Sequence, residues 1–135
     1  MPNDIATILQ PPGWIAPKGY ANGVAAEGRQ IFVAGQIGWT AKCELVGTGF
    51  VAQVEQALKN IVQVLAEAGA KPQHLVRLNW YVTDKREYAE NQKQLGDVYR
   101  TVIGKHYPAM TLLVVAGLLE PGAKVEIEAT AVIPR

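Results

Sequence analysis

The chain has 135 residues, 49% of them apolar and 19% charged, which suits one globular domain over residues 1–135 and excludes a disordered protein. Thirteen basic side chains against twelve acidic, scattered along the chain, lack the electrostatic footprint of a nucleic-acid binder. The lone Cys43 rules out an intrachain disulfide or a cysteine-rich metal cage. No apolar run approaches the roughly 18 residues of a membrane span, and no signal-peptide pattern opens the chain, so a cytoplasmic protein is expected.

Residues 1–19 form an irregular lead-in, because Pro11, Pro12, Gly13, Pro17 and Gly19 forbid a long helix; a short edge strand fits Ile5–Leu9. Strand-like segments follow at Tyr20–Ala26 and Gln30–Gln36, with Glu27-Gly28-Arg29 reading as a hairpin turn. A third strand fits Ile37–Thr40, and Ala41–Gly47 completes a loop or a further hairpin. The first helix is marked by Phe50, Val54, Ala57, Leu58, Ile61, Val62 and Leu65, one stripe at helical period. Gly69 supplies its left-handed C′ residue and Pro72 prevents an immediate restart. Leu75–Val82 alternates, with Val76, Leu78, Trp80 and Val82 on the apolar face. Asp84 and Glu87 then open a second helix whose buried face is Tyr88, Leu95, Val98, Tyr99 and Val102, ending at Gly104. Met110–Ala116 and Lys124–Ile133 are the last strands, joined by a turn through Glu120-Pro121-Gly122.

This order predicts an α+β domain, a mixed sheet with two crossover helices on one face. An apolar opposite face then requires cover from another copy of the chain.

Glu126 and Glu128 lie two apart on one strand, so both face away from Val125, Ile127 and Ala129. At a subunit interface such a carboxylate needs a partner or a raised pKa, which suits general acid–base work. A solvated strand face whose acids pair with lysines fits the spacing equally well. Tyr20 is a candidate to line a cleft, though a half-buried aromatic explains it too. Gly35 offers bare backbone to a ligand, or simply a bend. His106 and His74 have no further ligands at metal spacing, so no metal is expected.

From Pro17 to Val132 the chain resembles the RidA/YjgF family of enamine–imine deaminases, whose members are also labelled endoribonuclease L-PSP. The resemblance rests on Gly19-Tyr20 with Asn22-Gly23-Val24, Phe32-Val33-Ala34-Gly35-Gln36-Ile37 and the Gln53 to Asn60 helix. Tyr81-Val82-Thr83-Asp84, Tyr107-Pro108-Ala109 and Val125-Glu126-Ile127-Glu128-Ala129 complete it. It implies a chorismate-mutase-like fold, a homotrimer with three intersubunit clefts, and cofactor-free hydrolysis of small enamines and imines such as 2-aminoacrylate. It places Tyr20 in the cleft, Gly35 as backbone, and Glu126 as the residue that orients water. The arginine that grips the substrate carboxylate is replaced by Met110, followed by Thr111 and Leu112, and Gln92 stands where an asparagine is usual. A thioether cannot give the bidentate, charge-assisted bonds of a guanidinium. The expected partners are therefore a small metabolite and further copies of the chain, with weak or absent 2-aminoacrylate activity. Trp14 and Trp39, near the expected rim, favour a larger or more apolar ligand. A non-catalytic ligand-binding or regulatory module is the alternative, and ribonuclease activity comes last.

Overall fold

In the computed structural model, which describes residues 6–135, the elements in chain order are β1 (Thr7–Leu9), β2 (Gly23–Ala25), β3 (Arg29–Ile37), α1 (Phe50–Glu67), β4 (Leu75–Val82), α2 (Lys85–Glu90), α3 (Gln92–Val102), β5 (Ala109–Val114) and β6 (Val125–Ile133), with a 3-10 turn over Pro72–His74. The main sheet has the order β3-β6-β4-β5. β6 runs antiparallel to both β3 and β4, whereas β4 and β5 are parallel. α1 therefore crosses from β3 to the parallel β4 over β6, and α2 with α3 crosses from β4 to β5. Two crossovers of the same hand stepping the same way across a sheet put their helices on one face, where α1 and α3 pack together.

The apolar stripe of α1 is the centre of the core: Val54, Ala57, Leu58, Ile61 and Leu65 are fully buried against Leu78 and Val82 of β4 and Val125 and Ile127 of β6. The helix ends in a Schellman motif. Gly69, at φ 75, donates its N–H to Ala66 O, and Ala70 N–H reaches back to Leu65 O. α2 begins where Asp84 accepts hydrogen bonds from the N–H groups of Arg86 and Glu87. The Glu87 side chain pairs with Lys124 Nζ at 2.9 Å, tying that helix to the start of β6.

Several boundaries differ from the sequence expectation, each for a local reason. The Glu27–Arg29 turn is no hairpin: β2 pairs with β1 in a separate ribbon, while β3 joins β6. Gly28 passes between the two sheets at φ 147, where a Cβ would meet Ile133 O at 2.0 Å. The edge strand expected at Ile5–Leu9 is Thr7–Leu9, and Ile5 lies outside the described residues. The strand expected at Ile37–Thr40 is absent, since β3 stops at Ile37 and only a single bridge joins Trp39 to Leu45. Gly38 explains the stop. It presses so closely on α1 that a Cβ would lie 2.5 Å from Gln53 Cα. The expected second helix is broken in two at Asn91 (φ −116, ψ 23), so two helices rather than one connect β4 to β5. Asn91 Nδ2 donates to Glu87 O at 2.7 Å and satisfies a carbonyl that the break releases.

One buried polar side chain holds the loops to this frame. Gln53, fully buried on α1, donates from Nε2 to Gly47 O (2.8 Å) and Gly122 O (3.1 Å), and its Oε1 accepts from Lys124 N (2.8 Å). Gln53→Leu leaves those three backbone groups without partners, and we expect a loss of about 3 kcal/mol or more in urea unfolding. Substitution of the exposed Gln63 of the same helix should change stability by less than about 0.5 kcal/mol.

Candidate ligand site

Three contacts assemble one end of the sheet. Tyr99, buried on α3, donates its hydroxyl to His106 O at 2.6 Å and stacks on Tyr107 with ring centroids 5.3 Å apart. Burial, with Tyr107 close by, pushes the Tyr99 phenol well above its usual pKa and keeps it a donor. Pro108 is thereby fixed, and its carbonyl accepts from Ala21 N at 3.0 Å, so a bridge forms between Ala21 and Ala109. Tyr20, remote in sequence, is in this way delivered beside Met110 at the start of β5.

The result is a cavity of about 530 Å³ between the sheet and α3. Its helical wall is Gln92, Leu95, Gly96, Tyr99 and Arg100, spaced as i, i+3, i+4, i+7 and i+8 on one face. Its floor is Trp80, Met110 and Leu112, for Met110 pairs with Leu78 and Leu112 with Trp80 across the parallel ladder. Tyr20, Tyr88 and Tyr107 close the rim with Lys18. Gln92 turns its Nε2 to Tyr88 O across the break between α2 and α3. The indole Nε1 of Trp80 is buried with no partner, alone among the buried side-chain nitrogens and oxygens of the described residues.

Glu126 and Gly35 lie on the opposite face of the sheet. β6 alternates, with Val125, Ile127, Ala129 and Ala131 buried and Glu126, Glu128 and Thr130 only partly so. The Glu126 carboxylate lies directly over Gly35: a Cβ on that glycine would sit 2.0 Å from Glu126 Oε2. Glycine is thus required for the carboxylate to reach across β3. The two acids are not equivalent. Tyr81 donates its hydroxyl to Glu128 Oε1, whereas Glu126 makes no side-chain hydrogen bond or ion pair among the described residues. Thr111 also faces this side, exposed, opposite Asn79, which in turn pairs with Glu128.

The six sequence candidates therefore form two groups in one chain: Tyr20, Gln92 and Met110 in the cavity, and Gly35, Thr111 and Glu126 behind the sheet. Neither Trp14 nor Trp39 lines the cavity; Trp14 is 61% exposed, and Trp39 borders a separate polar groove beside Cys43. Trp80, Tyr88 and Tyr107 also line the cavity without having been read as site residues, and Arg100 lines it too. The spacing of α3 already put Arg100 on the face of Gln92, a signal that needed the sheet edge to be meaningful.

The family model described as endoribonuclease L-PSP matches residues 14–133. A goat protein named 2-iminobutanoate/2-iminopropanoate deaminase is 33% identical over 129 residues, 95% of this chain and 88% of its own. Protein DfrA of Myxococcus xanthus is 36% identical over 124 residues, 91% of this chain and 90% of its own. Among solved structures, the Rid-family protein YyfB of Yersinia pestis, itself of unknown function, superposes with a TM-score of 0.84 at 32% identity, covering 96% of this chain and 99% of its own.

The hydrogen bond to Glu128, reinforced by burial and the charges of Glu128 and Glu126, raises the Tyr81 phenol above its usual value of 10.0. The folded state then favours the protonated phenol, contributing stability below pH 10.0 that is lost as pH rises through the folded pKa. An ultraviolet tyrosinate titration of wild type minus Tyr81→Phe should show a midpoint above 10.0, returning toward 10.0 in a Glu128→Gln background.

Proposed function

Because this chain belongs to the RidA/YjgF family, the endoribonuclease L-PSP family, we propose that it is a divergent imine deaminase working at clefts between three copies of itself. The observation that carries the reading is Glu126, a partnerless carboxylate seated over Gly35 on an accessible sheet face. In that role Glu126 orients a water and takes its proton as the oxygen attacks the imine carbon. The imine nitrogen gains a proton, ammonia leaves, and the carbonyl of a keto acid remains. No cofactor is needed, since the C=N bond is already electrophilic.

The intersubunit placement follows from the division of the candidates. A ligand in the cavity of one chain is separated by the sheet from that chain's own Glu126, so a neighbouring copy must supply the carboxylate. Phe32, 70% exposed, and Leu113, 49% exposed, lie on the Glu126 side, opposite Thr130 and Tyr81 respectively. Apolar surface of this kind favours cover by another subunit. The remaining expectation, weak action on 2-aminoacrylate, rests on Met110.

A second reading, a non-catalytic ligand-binding module, is favoured by Met110 alone, which removes the usual clamp while leaving the cavity open. Imine hydrolysis separates the two, with imines generated in solution from a panel of amino acids. Glu126→Gln should lower turnover by about a hundredfold or more, while Met110→Arg should raise it on the smallest acidic imines by about tenfold. Wild-type turnover unaffected by Glu126→Gln, or no turnover with any imine, refutes the deaminase. Light scattering should give three copies per particle, and a monomer would dismantle the shared cleft.

A further inference from the structure

Among the described residues, the only charged side chains lining the cavity are Lys18 and Arg100, both cationic, and no acid lines it. Both stand away from the floor, where Met110 and Leu112 are apolar. Arg100 is held in place on the helix. Its Nη2 bonds Asp97 Oδ1 at 2.7 Å, and the guanidinium lies back along the helix over Gly96. A Cβ at position 96 would lie 3.1 Å from Arg100 Nη1, a tight approach, so glycine there leaves the guanidinium room along the cavity's helical wall. Asp97 is 61% exposed and does not line the cavity, so it anchors one nitrogen and leaves the other donors of the fork available.

We propose that Arg100, with Lys18, receives the carboxylate of the ligand in place of a cation at position 110. The carboxylate is thereby moved from the sheet floor to the helical wall, and the ligand class changes with it. The floor now meets the body of the ligand. Met110, Leu112 and the ring of Trp80 select an aromatic or branched 2-keto or 2-imino acid over one carrying only a methyl group. This inference rests on the cavity being the ligand site of the proposed function, but it concerns binding and does not require turnover.

The test is calorimetric titration of the protein with phenylpyruvate and with pyruvate, beside the imine panel. Phenylpyruvate should bind about tenfold or more tightly than pyruvate. Arg100→Gln should weaken phenylpyruvate by about tenfold to a hundredfold, Lys18→Gln by less, and Arg100→Lys should restore part of the loss. Arg100 is exposed, so circular dichroism and thermal unfolding should show its variants folded. Undiminished phenylpyruvate binding in the Arg100→Gln, Lys18→Gln double variant overturns the proposal, as does equal affinity for the two acids. Arg100-dependent binding without imine turnover supports this assignment while refuting the deaminase. Glu126-dependent turnover with binding indifferent to Arg100 does the reverse.

Discussion

The structure depends on the period of two along β6. This central strand is buried on one side by α1 and cannot be shifted by one residue without exchanging its faces. Val125, Ile127, Ala129 and Ala131 must lie under the helix, so Glu126 and Glu128 are forced to the other face. The same constraint makes Gly35 a glycine, because the neighbouring strand has to leave room for a carboxylate that has nowhere else to go. Tyr81 engages one acid of the pair and leaves the other open. Core packing and the placement of chemistry are thus two consequences of a single alternation.

The cavity on the helical face of the sheet is built by closure of distant segments rather than by periodicity. Tyr99 fixes Tyr107 and Pro108, Pro108 fixes Ala21, and a cavity results between α3 and the edge of the sheet. Its floor is apolar where the resemblance implies a cation, and its wall is cationic. The replacement of arginine by Met110 reads, in this setting, as a redistribution of charge around the cavity and not simply as a loss.

Long periodic elements were legible in the sequence, and junctions were not. The α1 stripe, the alternation of β4 from Leu78 to Val82 and the Gly69 cap appear where the residues predict them, since each follows from local spacing; at the start of β4 a register irregularity buries Leu75 instead of Val76. The break at Asn91 carries no proline or glycine and depends on a side chain bonding back to Glu87. β2 failed as a hairpin partner because Gly28 redirects the chain between two sheets, which only the approach of Ile133 reveals. For the site, the resemblance puts Tyr20, Gln92, Met110, Gly35 and Glu126 in one cleft, whereas the fold sets Tyr20, Gln92 and Met110 at the cavity and Gly35 beside Glu126 behind the sheet. That the two groups lie on opposite faces is a matter of register. That Lys18 and Arg100 are the cations of the cavity is visible only once the chain is folded.

In the proposed assembly a working cleft takes its cavity from one copy and its carboxylate from another. Subunit mixing tests this most directly. Glu126→Gln protein, with its cavity intact, is unfolded and refolded together with Met110→Trp protein, whose cavity is filled but whose Glu126 is intact. Each variant alone should be inactive toward imines, and mixed assemblies should regain activity because they contain clefts in which both contributions are wild type. Mixed assemblies that form and stay inactive would contradict the shared cleft, and would return the carboxylate and the cavity to separate roles.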